Sequence, residues 1–380
     1  MILHISNDYS GSTVYKNLIR ELDDLGLNQI IYTPIKSGVS DGRNKIDLKV
    51  IGSKIIYSNI LNLHLDRLLY KRKIKKIFKD VESKIDLSKI KCIHAHTWYS
   101  DGGVALLIHK KYNIPYFITV RNSDLNVFYK YLPHERGFGR SIVKSAQKIF
   151  LISASYKNRF IELKALRSLK KELIDKIEII PNGVDPFWIE NFTTKHLQKE
   201  IKQDVDILFI GKFAKGKRIV ELQKSIILLN KESDKKIKLH IVGGDGDESN
   251  KVMKLINDNL DMFHFYGKIY DKNELLNIIR KCDIFAMPSK SETFGLVYVE
   301  AMLQGLPILY TQNEGIDGFY DEPIGEKVSK DADVQEIKGK LQNLIVNQEN
   351  YSIPTDKLIR NHDWKLIAKK YKKIYHDIIN

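Results

Sequence analysis

Short apolar runs recur along the chain, each followed by a stretch in which apolar residues return every third or fourth position. MILHIS, NQIIYTP, KCIHAH, PYFITV and KIFLIS form a first set of runs and read as strands. Between the first two, Val14, Leu18, Leu22 and Leu25 keep helical spacing, and Gly26 supplies a stop. The pattern then restarts with VDILFIGKF, KIKLHIVGG, FHFYGKI, CDIFAMPS and LPILYT, separated by the helical stretches IVELQKSIILLNKE, SNKVMKLINDN, KNELLNIIRKC and FGLVYVEAMLQG. Strand and helix in alternation predict parallel sheets covered by helices on both faces, an α/β fold of two Rossmann-like domains facing across a deep cleft. The segment PNGVDPFWIENFTTKHLQKE carries turn formers and no sheet pattern. The expected division is therefore 1–182, a linker at 183–200, 201–358, and a C-terminal amphipathic helix in 359–380 with Trp364, Ile367, Ala368, Tyr371, Ile374 and Tyr375 on one face.

The chain has 380 residues, 43% hydrophobic and 29% charged, which excludes a disordered protein. Its two cysteines, Cys92 and Cys282, sit in apolar surroundings and predict neither a disulfide framework nor a metal site. The start, MILHISND, reads as a strand and lacks the features of a signal peptide. No window approaches ~18 consecutive apolar residues. A cytoplasmic protein is expected. Charge sharpens the picture: residues 1–190 hold 32 Lys and Arg against 19 Asp and Glu, a net +13, whereas residues 191–380 carry only +2. A basic first half suits an anionic partner, whether a membrane surface, a phosphorylated acceptor or a nucleic acid; a general lysine bias is the competing explanation.

The run from Pro288 to Pro307 carries the most chemistry. A strand ends, a polar loop follows, and a helix is expected to begin near Thr293-Phe294-Gly295. The free N–H groups of a helix start suit an anion, and Gly295 lets a ligand approach the backbone. Glu292 precedes that helix and Glu300 lies eight residues on, two turns along the same side.

Glu292 and Glu300 with the E-T-F-G start resemble the E-x7-E signature of the GT-B retaining glycosyltransferases, family 4 (group 1) in particular. Gly211-Lys212-Phe213-Ala214-Lys215-Gly216-Lys217-Arg218, Pro181-Asn182-Gly183-Val184-Asp185 and Val242-Gly243-Gly244-Asp245-Gly246 resemble further motifs of that family and occur in its order. The closing Trp364 helix resembles the one that returns to the N-terminal domain. The resemblance implies that Lys212 and Lys217 bind the donor diphosphate and neutralise the leaving group, with no metal and no cofactor beyond a UDP- or GDP-linked sugar. It implies that Glu300 accepts hydrogen bonds from ribose hydroxyls and that Glu292 holds the sugar. Phe294, Gly295 and Leu296 then present backbone N–H groups, Gly267 and Lys268 flank the base, and Gly11 corresponds to the family's Gly-rich loop. Retention and metal-independent transfer to a glycan or polyprenyl-diphosphate-linked lipid acceptor, in assembly of a bacterial surface polysaccharide, follow as expectations.

The first half departs from the family at Arg121, where many members carry histidine; a guanidinium cannot act as a base. Arg121 therefore points to an anionic group on a substrate, or to a structural pair with Asp124. His94 and His96 end one strand and could form a metal pair, but strand alternation is read as turning them apart, with His96 facing the cleft and His94 inside. Arg136 and Arg140 lie in a segment read as a flexible acceptor loop. Arg67 to Lys79 holds seven cations with apolar residues between them, fitting either a helix on an anionic membrane or a solvated helix face. Asp204-Val205-Asp206 and Asp245-Gly246-Asp247 are not read as metal ligands. An epimerase of the same architecture and a non-enzymatic basic membrane- or nucleic-acid-binding protein are the rivals; nucleic acid is not an expected partner.

Overall fold

A parallel strand buried on both faces is apolar along most of its length, and most of the strands fall on the apolar runs. The computed structural model describes residues 1–36, 42–62, 66, 69–193 and 204–379. The chain divides into two units: Met1–Ile152, Tyr156–Gly183 and Trp364–Asn380 form the first, Ser153–Ser155 and Val184–Asp363 the second.

The first unit holds β1 (Ile2–Ile5), β2 (Gln29–Lys36), β3 (Lys54–Leu61), β4 (Cys92–Ala95), β5 (Tyr116–Val120), β6 (Lys148–Leu151) and β7 (Ile177–Ile179), in the spatial order β3-β2-β1-β4-β5-β6-β7. Every strand pair in it is parallel. Its helices include α1 (Thr13–Asp24), α2 (Tyr70–Lys84), α3 (Ser100–Tyr112) and α4 (Arg136–Ser145). The second unit holds β8 (Val205–Lys212), β9 (Ile237–Gly244), β10 (Phe263–Gly267), β11 (Ile284–Ala286), β12 (Ile308–Thr311) and β13 (Gly325–Val328), ordered β10-β9-β8-β11-β12-β13 and again parallel. Helices α5 (Ile219–Glu232), α6 (Leu296–Met302) and α7 (Thr355–His362) belong to it. In each sheet the order reverses beside the first strand, between β1 and β4 and between β8 and β11. Loops at the carboxyl ends of those strands flank the crevice in which doubly wound sheets bind ligands.

Strands β3, β7 and β13 were not anticipated. All three lie at or near sheet edges; β3 is largely half-buried, and β7 and β13 have three and four residues. The boundaries also shift. Residues 184–193 are no free linker: Asp185 caps the short helix Pro186–Glu190, and Val184 and Trp188 join the second core. Residues 194–200 of the expected linker lie outside the described residues. The C-terminal helix, α8 (Trp364–Ile379), starts later than expected because α7 buries Leu358 in the second core.

Helix α8 completes the first unit. Trp364, Ile367, Ala368, Tyr371 and Tyr375 pack into one cluster with Ile2, Leu18, Leu22, Phe117 and Phe150. The Trp364 ring lies so close to Gly183 that a Cβ there would sit 2.6 Å from it. Gly183→Ala is expected to cost about 1–3 kcal/mol through overpacking; a thermal melt with Tm equal to wild type counts against this lock.

Candidate active site

In the second unit, β8 ends at Gly211-Lys212 and runs into a 3-10 turn, Lys215–Lys217, before α5. Gly211 thus lies at the strand end, and Lys212 is exposed. Lys217 Nζ meets Glu292 Oε2 at 2.5 Å, so the loops after β8 and β11 are joined by an ion pair across the switch point. The backbone carries the same link, since Lys290 N–H donates to the Gly216 carbonyl at 2.8 Å. Glu292 is held from its other side: its N–H donates to Glu314, and its carbonyl accepts from Gly315 N–H at 2.9 Å. Gly295 has φ 79° and ψ 72°, a left-handed conformation that suits glycine. A Cβ there would lie 2.5 Å from the Tyr298 ring. Helix α6 starts at Leu296, later than the sequence suggested. The N–H groups of Phe294, Gly295 and Leu296 make no hydrogen bond among the described residues. The Phe294 side chain itself is buried against Phe319 and His362.

Glu300, on α6, is half-buried, and burial pushes its carboxyl up to about 7, with Asp185 adding to the rise and Lys272 opposing it. Asp185 and Lys272 form an ion pair at 2.6 Å. Gly267 ends the edge strand β10 with φ 69°, and Lys268 pairs with Asp245.

In the first unit, Gly11 lies in the turn Tyr9–Gly11 between β1 and α1. Arg121 follows β5. Its Nε reaches the His96 carbonyl at 3.4 Å, its NH1 donates to Asn182 Oδ1 at 2.9 Å, and its guanidinium lies 5.2 Å from the centre of the Tyr15 ring. Asp124 turns its carboxylate to backbone N–H groups of Trp98, Tyr99 and Arg121. Burial still raises it to about 6, so it holds the strand-end loops. Beneath Arg121 lie three buried imidazoles. His4 Nδ1 and His96 Nε2 are 3.0 Å apart, and His94 bonds Tyr375 and Thr119. Burial lowers all three, His4 to about 3, and keeps them neutral.

The first half of the chain matches the glycosyltransferase family 4 model over residues 11–187, and the second half matches glycosyl transferases group 1 over residues 191–376. The chain belongs to the family 4, group 1 glycosyltransferases. An uncharacterised glycosyltransferase of Methanocaldococcus jannaschii is 25% identical over 370 residues, 96% of this chain and 93% of that protein. The alpha-monoglucosyldiacylglycerol synthase of Acholeplasma laidlawii is 25% identical over 324 residues, 80% of this chain and 77% of the relative. Among solved structures, Anabaena HepE in complex with UDP and glucose aligns with a TM-score of 0.66 at 15% identity over 99% of both chains. The fold is GT-B and the enzyme a hexosyltransferase.

In this glycosyltransferase, second-unit residues named from sequence gather at strand ends, whereas three first-unit expectations fail. His96 is not open to ligand: it is 1% exposed, and its ring stacks on His94 at 4.1 Å. Residues two apart on a strand share a face, so alternation brings these rings together instead of turning them apart. With His4 they form a cluster in which one ring nitrogen of each histidine lies within 4.8 Å of the others. Arg136 and Arg140 belong to no flexible loop; they lie on α4, with Arg136 Nε on the Tyr129 carbonyl and Arg140 NH1 on the Ala165 carbonyl and Ser168. Arg121 makes no side-chain pair with Asp124. The basic stripe is helix α2 from Tyr70 onward, and Arg67 and Leu68 lie outside the described residues. Its Ile74, Ile77 and Val81 face the core while Lys71, Arg72, Lys75, Lys76 and Lys79 face outward, so its apolar side is not free to enter a bilayer.

Sequence reasoning missed Asn182 and Tyr15 as the holders of Arg121, and Arg218 beside Lys217. The signal for Arg218 was an arginine at the cap position of α5, where Ser, Asp or Gly is preferred. If ionised Glu300 accepts the ribose hydroxyls, affinity for the nucleoside diphosphate should rise about tenfold between about pH 6 and about pH 8, as expected for a carboxyl titrating near 7. Calorimetric titration of wild type against Glu300→Gln checks this; an equal slope in both removes Glu300 from that role.

Proposed function

We propose that this glycosyltransferase moves a hexose from a UDP- or GDP-linked donor to a glycan or polyprenyl-diphosphate-linked lipid acceptor, with retention of configuration and without a metal, in assembly of a bacterial surface polysaccharide. The observation that carries the donor half is the Lys217–Glu292 pair between the loops after β8 and β11, beside Lys212 and the unpaired N–H groups of residues 294–296. The HepE complex with UDP and glucose supports a uridine donor on this fold.

In the proposed reaction the bond from the anomeric carbon to the diphosphate oxygen breaks and a bond to the acceptor hydroxyl forms on the same face. The hydroxyl proton passes to the departing phosphate oxygen, so no protein base is required. Lys212 and Lys217 offset the charge that develops on the diphosphate, and the backbone N–H groups add fixed dipoles. Glu292 orients sugar hydroxyls and Glu300 those of the ribose. Arg121, held by Tyr15, Asn182 and the His96 carbonyl, offers its remaining donors to an anionic group on the acceptor or donor.

A lipid-linked acceptor rests on the first unit's charge, and the alpha-monoglucosyldiacylglycerol synthase among the relatives carries a lipid in its name. The cationic face of α2 points outward, and Leu69, Val127 and Tyr131 are exposed. The start of α2 adjoins the segment around Val127, with the Tyr70 and Phe128 rings 5.9 Å apart. Among the described residues no helix is long and apolar enough to cross a membrane, so contact at the cytoplasmic face would be peripheral.

A thermal-shift panel of nucleoside diphosphates with EDTA present tests the donor site. The cognate one should stabilise wild type by about 2.7 kcal/mol at about a hundredfold excess over Kd, and Lys217→Ala and Glu300→Ala should lose that shift. A shift that needs added metal, or that survives both substitutions, overturns the reading. Sedimentation with phosphatidylglycerol vesicles tests the membrane half: binding should weaken with salt and fall in Arg72→Glu/Lys75→Glu, and equal binding to neutral vesicles rejects it.

A further inference from the structure

Five non-glycine residues adopt positive φ among the described residues: Asn44, Asn113, Asp245, Asn313 and Arg218. Asn and Asp tolerate the left-handed region because their short side chains bond locally. Arginine has no such excuse, and Arg218 is also 1% exposed. A strained backbone and a buried guanidinium at one position are both costly, so the side chain must return something that a glycine cannot.

Its partners are all main-chain carbonyls. NH1 donates to Pro288 O at 3.2 Å and to Ser329 O at 3.3 Å, and NH2 donates to Lys330 O. No carboxylate lies within ion-pair distance among the described residues. Pro288 opens the loop that carries Glu292, and Ser329 and Lys330 directly follow β13. Lys330 Nζ holds Glu314 at 2.7 Å, and Glu314 accepts the N–H of Glu292. Ser329 is anchored in turn by Glu336. One guanidinium therefore joins three strand-end loops, and the residue before it, Lys217, pairs with Glu292.

We propose that Arg218 is a positioning residue for donor binding: it clamps the loops after β8, β11 and β13 so that Lys217 and Glu292 hold a fixed spacing toward a diphosphate-sugar. The proposal rests on the donor site described above. It needs several donors in one rigid fork, which lysine cannot supply.

The test is steady-state kinetics of Arg218→Gly and Arg218→Lys against donor and acceptor separately, with melts to establish folding. Glycine accepts the backbone conformation, so Arg218→Gly removes the fork without the strain. The expected result is about a ten- to hundredfold fall in kcat/KM for donor, as for a misplaced reacting group, with acceptor KM unchanged. Arg218→Lys should stay impaired although the charge is kept, and millimolar guanidinium should restore donor KM in Arg218→Gly where urea does not. A folded Arg218→Gly with wild-type donor kinetics, or equal losses toward donor and acceptor without guanidinium rescue, overturns the clamp. If Lys217→Ala and Glu300→Ala keep full donor affinity, the donor site itself fails, whatever Arg218→Gly does.

Discussion

A strand buried on both faces of a parallel sheet has no room for polar groups along its length, so chemistry is driven to its ends. Both sheets follow this constraint along most of their strands, and both place their reversal of strand order beside the first strand. In the second unit the ends of β8 and β11 supply Lys212, Lys217 and Glu292, and the end of β13 supplies the carbonyls that Arg218 binds. The first unit departs from the rule at Gln29, Thr33, Ser58 and Thr119 and, with the bulkiest polar rings, at His4 and His94, paired in register on β1 and β4. That breach is contained because His4 bonds His96 and His94 bonds Thr119 and Tyr375, although among the described residues His4 Nε2 and His96 Nδ1 find no partner. Desolvation keeps these rings uncharged.

At the proposed donor site the Lys217–Glu292 pair sets one positive charge against one negative charge. A diphosphate brings negative charge that one lysine already shares with a carboxylate, so the exposed Lys212 and the unpaired backbone donors matter in proportion. Glu300 has no lysine so close. Burial and the neighbouring Asp185 leave it near half-ionised at neutral pH, which makes it the pH-sensitive member of the set.

The architecture was legible wherever apolar runs were continuous, because strand burial demands them. Edge strands such as β3, half-exposed and interrupted by Ser58 and Asn59, left no such run. In the second unit the loop positions of Lys217 and Glu292 were legible because each lies in a turn that follows closely on an apolar strand. The first unit was read less well. Arg136 and Arg140 sit among glycines that suggested a loop, yet Ile142 and Val143 anchor that stretch as a helix. The tethers of Arg140, at Ala165 and Ser168, lie more than twenty residues away and leave no local mark. The pairing of His94 with His96 needed only the two-residue repeat, correctly applied; its extension to His4 and Tyr375 needed the fold.

Helix α8 closes the sheet face formed by Ile2, Phe117 and Phe150, residues encoded far upstream of it. The first unit is therefore unfinished until residues 364–379 have been made. A ribosome that has completed the second unit still carries a first unit with one face open. Loss of residues 364–379 would be an injury to the first unit, felt by Arg121 and its histidine bed before it reached the lysines and glutamates that stand nearer in sequence.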